Sequence, residues 1–153
     1  MKKITFIIVP FLFTSIGFSQ SFQDEVQLVQ SVYGMEKKEI VAEFVELDEN
    51  QKTDFWLLYD EYEIKRKELG KTKFTLLFDY VNDYGNINPE DAEMFMNEVI
   101  PLRKKSDKLV DTYYKKIKKK TDPIVAMQFY QIENYLSDMI RLELLEEIYT
   151  TKK

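Results

Sequence analysis

The chain has few places at which it can turn. Four glycines and four prolines are spread over 153 residues, while charged and apolar residues interleave at steps of three and four over long tracts. Positions at that spacing share one face of an α-helix. The pattern therefore predicts an all-α fold of four antiparallel helices, three of them long, in an elongated thin bundle or cradle.

The first helix is expected from about Phe22 to Val45, with Val26, Val29, Tyr33, Ile40, Phe44 and Leu47 on one seam. At Leu47-Asp48-Glu49-Asn50-Gln51 it gives way to a start signal in which Asp48 caps a second helix and Gln51 reaches back to the cap N–H. That helix continues to about Tyr84 through Phe55, Tyr59, Tyr62, Leu69, Leu76, Leu77 and Tyr80. Gly70 falls in its middle, and Arg66 and Lys73 make the centre of the seam wetter than its ends.

Asn88-Pro89-Glu90-Asp91 opens a third helix with a cap, a proline at the first position and acids in the first turn. Its seam is Ala92, Phe95, Val99, Leu102, Ser106, Leu109 and Tyr113, with Pro101 expected to kink the helix without ending it. Lys115, Lys116, Lys118, Lys119 and Lys120 close it, where positive charge suits the helix C-terminus. Thr121-Asp122-Pro123 caps a last helix to about Tyr149, with Val125, Phe129, Ile132, Leu136, Met139 and Leu142 inward. Helices of 40 to 50 Å (an order of magnitude from ~1.5 Å per residue) suit an elongated homodimer better than a compact monomer.

The N-terminus has a different character. Lys2 and Lys3, the apolar run Ile4 to Phe13 and the small residues Gly17 and Ser19 give residues 1–19 the layout of a cleavable signal peptide. A membrane anchor needs about 20 apolar residues, and Pro10, Thr14 and Ser15 interrupt this run. Residues 20–153 then form one helical domain, with the periplasm as its expected location. Without Lys2 and Lys3, 20 basic residues stand against 27 acidic ones, a net charge near −7. Nucleic acid and an anionic membrane are poor partners for such a surface.

The order of these parts resembles the Spy/CpxP family of periplasmic stress chaperones. The segment Leu47 to Gln51 looks like that family's L-T-x-x-Q motif, with Asp48 in place of Thr; both residues are helix N-caps. The second family motif is present in degenerate form as Lys120-Thr121-Asp122-Pro123, with Gln128-Phe129 downstream. Phe55-Trp56-Leu57-Leu58-Tyr59 and Glu61-Tyr62-Glu63 behind the first motif look like a divergent branch. The resemblance implies an ATP-independent chaperone, usually a dimer, whose cradle holds unfolded or partly folded proteins by apolar spots among charges. It also implies a variant role, restraining an envelope stress sensor or responding to zinc.

The sequence has no histidine and no cysteine. That removes Ser-His-Asp triads, thiol nucleophiles, the common zinc sites and Glu-x-x-His di-iron sites. No Gly-rich phosphate cradle occurs either, so no cofactor, no metal and no enzymatic activity are expected. Carboxylates are the remaining chemistry. Asp60, Glu61 and Glu63, or Glu143, Glu146 and Glu147, are candidates for a glycosidase pair or a calcium site, but acids on amphipathic helices ordinarily face solvent.

The aromatic and methionine content exceeds what a thin helical layer hides easily: ten Tyr, eleven Phe, one Trp and six Met. Phe74, Leu77, Phe78, Met94 and Met96 fall partly off the main seams, and Tyr113 and Tyr114 sit beside Lys115 and Lys116. Flexible Met and amphipathic Tyr suit surfaces that accept varied partners. These nine residues are the candidate client-binding set, although stripes of this kind are more often packed. The alternative function is a non-enzymatic envelope-stress regulator docking on a membrane sensor or other envelope protein.

Overall fold

The computed structural model describes residues 35–82 and 87–151, leaving aside the side chains of 78, 79, 81, 82 and 143–151. The expected signal peptide over 1–19, the positions Val26, Val29 and Tyr33, the turn at 83–86 and the side chains of Phe78, Glu143, Glu146 and Glu147 lie outside the described residues. Among the described residues there are four helices and no strand. They are α1 over residues 35–44, α2 Glu49–Asn82, α3 Pro89–Lys120 and α4 Pro123–Thr151. The three long helices have 34, 32 and 29 residues, which at ~1.5 Å per residue makes rods of roughly 51, 48 and 44 Å.

The starts of the long helices follow from local chemistry. Asn88 sits in extended backbone, and its side-chain oxygen accepts from the N–H groups of Glu90 and Asp91 at 2.9 and 3.0 Å, satisfying two donors that a helix start leaves unpaired. Asp122 does the same for α4, accepting from Ile124 and Val125 at 2.7 and 3.0 Å. Thr121 belongs instead to the end of α3, donating its N–H and its hydroxyl to the carbonyl of Ile117. Helix α2 runs through Gly70 and α3 through Pro101 without interruption.

Consecutive long helices are antiparallel. Tyr62 of α2 meets Tyr113 of α3 with ring centroids 5.5 Å apart, and eighteen residues further along α2, and eighteen back along α3, Tyr80 stacks on Phe95 at 4.8 Å. Helices α2 and α4 run in the same direction, because Gln51 pairs with Asp122 and Tyr62 with Glu133.

The core occupies one end of the molecule. Val41 and Val45 come from α1 and the residue after it, Phe55, Tyr59 and Tyr62 from α2, Tyr113 and Ile117 from α3, and Val125, Ala126, Phe129, Ile132 and Leu136 from α4. Here all four helices contribute. Beyond it, α2 after Tyr62 and α3 before Leu109 form what we term the two-helix span, in which Leu69, Leu76, Leu77, Phe95 and Val99 are only half-buried and to which α4 contributes no buried side chain past Leu136 among the described residues. Leu102 is buried there but stands outside the main cluster.

Four seam positions differ from expectation. Phe44 is exposed, because Lys37, Val41 and Val45 form the inner face of α1, rotated by roughly 90° from the expected seam at ~100° per residue. Met139 and Leu142 are also exposed: the inward series on α4 steps from Val125 through Phe129, Ile132 and Leu136 to half-buried Ile140. Ala92 is exposed because the antiparallel register sets the first turn of α3 past the last residue of α2.

Fully burying an apolar side chain of this size contributes ~1.5–3 kcal/mol, and the aromatic contacts add to that. Phe129 is fully buried and packs edge-on against Tyr59 and Tyr62, so Phe129→Ala is expected to lower the unfolding free energy by about 3–5 kcal/mol. Leu142→Ala, on an exposed position, should change it by less than about 0.5 kcal/mol. Urea unfolding followed by circular dichroism measures both, and equal losses would contradict the one-ended core.

Candidate functional site

Two polar assemblies hold the four-helix end together. The first is a buried ion cluster. Lys37 of α1 is 2% exposed, and its ammonium donates to Glu63 of α2 and, at 2.7 Å, to Glu133 of α4. It also lies 5.6 and 5.1 Å from the ring centroids of Tyr59 and Tyr62, where the aromatic faces favour a cation. Arg66 clamps Glu63 from one turn along, with Nε and Nη2 donating at 2.7 and 3.0 Å. Tyr62 donates its hydroxyl to Glu133 at 2.5 Å. The second oxygen of Glu133, Oε1, is buried and has no hydrogen-bond donor from the protein.

Two cations and two carboxylates make this cluster neutral, as burial of charge requires. Burial pushes the Glu63 carboxyl up, but the hydrogen bond and charge of Arg66 together with Lys37 outweigh it, and its pKa lies below the ordinary 4.5. Burial of Tyr62, reinforced by the Glu133 charge, holds the phenol well above its ordinary 10.0.

The second assembly joins the two helix-start segments. Gln51 accepts from the backbone N–H of Asp48 at 3.0 Å, while its amide nitrogen donates to Asp122 at 2.5 Å. Asp122 in turn caps α4, so one chain of hydrogen bonds runs from the start of α2 into the start of α4. Beside it, Gln128 of α4 accepts from the N–H of Glu46 at 3.1 Å. The backbone hydrogen bond from Val125, the Gln51 amide and the Ile124 N–H hold the Asp122 carboxyl below its usual range. Leu47 packs half-buried against the core beside this junction, and Pro123 is the first residue of α4.

The other candidate residues separate into different environments. Tyr113, expected on a client-binding surface, is instead a core residue: it is fully buried against Tyr62, since it lies on the inner stripe with Ile117. Tyr114 is half-buried and packs edge-on against Tyr130 of α4 at 5.9 Å. Phe74 and Leu77 are half-buried on α2. Met94 and Met96 are exposed, as are Lys115 and Lys116. Lys116 lies 4.5 Å from the Tyr113 ring centroid and 3.5 Å from Glu61.

The candidate acids of α2 do not converge. Asp60 pairs with Lys38, Glu61 with Lys116, and Glu63 with Lys37 and Arg66. Among the described residues no group of three or more acids is arranged to hold a metal ion, and no helix is long and apolar enough to cross a membrane. Nothing local in the sequence distinguishes Lys37 from a surface lysine. Its signal was position: Lys37, Val41 and Val45 share a face, as do Glu133, Phe129 and Leu136. No family model, no curated protein and no solved structure matches the chain.

Removing Lys37 would leave Glu133 buried without a cation and Glu63 with Arg66 alone, so Lys37→Ala should cost about 3–5 kcal/mol. Because the Glu63 carboxyl is depressed, its contribution is complete above 4.5 and is lost as pH falls through the lower folded-state value. Stability of the parent protein should therefore fall more steeply with acid below 4.5 than that of Glu63→Gln. Thermal melts of both proteins against pH provide the comparison, and parallel curves would contradict the assignment. At the junction, Asp122→Ala should cost ~1 kcal/mol through loss of the cap.

Proposed function

We propose that this chain is an exported, ATP-independent chaperone-like protein of the Spy/CpxP type, which holds partly unfolded client proteins and catalyses no reaction. The observation that carries the reading is the two-helix span. Along it α4 contributes no buried side chain past Leu136 among the described residues, and Met96 and Ile100 on one flank of α3 stay 46% exposed, while Met94 on the opposite flank is 55% exposed. The next turns of α3 present Arg103, Lys104, Lys105 and Lys108, all exposed. Such a surface offers polarizable, adaptable contacts beside positive charge. A partly unfolded segment that combines apolar side chains with acids would find both partners on it.

Three further observations support this reading. The N-terminal 19 residues have the layout of an export signal, the two capping segments resemble the family's motifs, and those segments are tied together through Gln51 and Asp122. The reading moves the client surface away from Tyr113 and Tyr114, which are occupied in packing. It centres instead on Met96 and Ile100, which share one flank of α3, with Met94 exposed on the opposite flank.

The test is light scattering from a chemically denatured model protein diluted into buffer. Stoichiometric amounts of the purified chain should suppress aggregation without ATP. Combined Met94→Glu, Met96→Glu and Ile100→Glu substitutions should weaken suppression several-fold while leaving helical content unchanged, since all three positions are exposed. Absence of suppression by the parent protein would refute the chaperone reading. A pull-down dominated by one envelope protein would favour the regulator instead.

A further inference from the structure

Net charge alone makes an anionic membrane a poor partner, but the charge of this chain is unevenly placed. Helix α3 packs on α2 through Phe95 and Tyr113 and on α4 through Tyr114. At ~100° per residue, the side turned away from both helices carries Lys104, Lys105, Lys108, Asp111, Lys115 and Lys119 on one stripe about 120° wide. All six are exposed. Five lysines against one acid give this stripe a charge of +4 on a chain of net −5. Among the described residues none of the five lysines lies in an ion pair, so their charge is not answered within the molecule. From Lys104 to Lys119 the stripe is roughly 22 Å long.

We infer that this stripe is a docking surface for a layer of anionic lipid headgroups, onto which the molecule adsorbs peripherally. A cluster of lysines on one helix face is the footprint of attraction to such a layer. Three features favour lipid over another polyanion. The cations are all lysine, compact charges on flexible stems that follow mobile phosphates; arginine's planar fork is the group suited to bidentate readout. No aromatic side chain lies on the stripe for bases to stack on, since Tyr113 is buried and Tyr114 packs on Tyr130. The third feature is shape: the stripe is the convex back of one helix, which can lie along a plane but cannot enclose a peptide segment.

The same side of α3 also orients the molecule. Its first turns carry Glu90 and Glu93, both exposed, and no cation precedes Arg103 in α3. An anionic surface attracts the half from Lys104 to Lys119 and repels the start, so the four-helix end lies nearest the lipid and the start of α3 is held off it. Between Lys104 and Lys119 the stripe has no apolar side chain, so adsorption is electrostatic, reversible and sensitive to salt. Lys104, Lys105 and Lys108 belong also to the span proposed to hold clients, whereas Lys115 and Lys119 lie outside it. Docking does not rest on the chaperone reading, and the two can fail independently.

Co-sedimentation of the purified protein with phosphatidylglycerol vesicles, against phosphatidylcholine vesicles, tests this. At low ionic strength the protein should pellet with the first and not with the second, and molar salt, which shortens the screening length to ~3 Å, should release it. Each lysine near the surface is worth about fivefold in partitioning, so Lys115→Gln with Lys119→Gln should weaken binding about twentyfold. Lys52→Gln with Lys71→Gln, an equal loss of charge on α2, should leave it unchanged. All four positions are exposed, so circular dichroism serves as the folding control. Failure to pellet with phosphatidylglycerol, equal binding to both vesicles, or equal loss from both pairs of substitutions would overturn the inference. Binding to duplex DNA or to polyglutamate without binding to vesicles would overturn it in favour of a nucleic-acid or an acidic-protein surface.

Discussion

The four-helix end depends on where a single ammonium group can go. Lys37 is buried by α1, and its charge is tolerable only because Glu63 and Glu133, on two other helices, meet it there. An apolar face made of Val41 and Val45 alone would fit at more than one register. Sliding α1 by one turn, ~5.4 Å, would leave the cation in a hydrocarbon environment and both carboxylates without it. A buried ion pair adds little net stability compared with well-packed hydrocarbon, but a wrong partnering of such groups is costly. Specification of one arrangement is the property it supplies.

Tyr62 connects this ionic cluster to the hydrocarbon core. Its hydroxyl donates to Glu133 while its ring packs edge-on against Tyr113 and Phe129. One side chain therefore touches α3, α4 and the charge cluster. The Gln51–Asp122 link performs a comparable task at the end of the bundle, where it makes the start of α2 and the start of α4 one hydrogen-bonded unit. Both devices fix relative helix position, so the molecule needs no disulfide to hold its layers in register.

Much of this was legible in the sequence, for identifiable reasons. Caps and prolines act within three or four residues, so Asn88, Asp122 and the Asp48–Gln51 reach-back could be read directly. The long seams on α2 and α3 were legible because their spacing is uninterrupted. Which face of a helix turns inward is harder where two faces are both apolar. The spacing that puts Phe44 and Leu142 inward fits either face, and Lys37 on α1 and the Phe129–Leu136–Ile140 series on α4 decide it. Tyr113 lies on its seam, although the lysines beside it give that stretch the look of a surface. The ion cluster could not be read from spacing, since Lys37, Glu63 and Glu133 are brought together only by tertiary packing, across 26 and 96 residues of sequence.

The uneven distribution of packing has a consequence for motion. At the four-helix end, opening any helix would expose fully buried aromatics and separate paired charges. Along the two-helix span the interface is half-buried and is closed toward the turn by Tyr80 against Phe95. Segments with few buried contacts open at lower free energy than the core to which they are attached. The span can therefore separate or bend without loss of the Lys37 cluster or the Gln51–Asp122 link. Its exposed methionines adjust to varied surfaces by rotamer change alone. A rigid end and a yielding span thus coexist within the same pair of helices: buried charge specifies the fold at one end, and the other end can open without disturbing it.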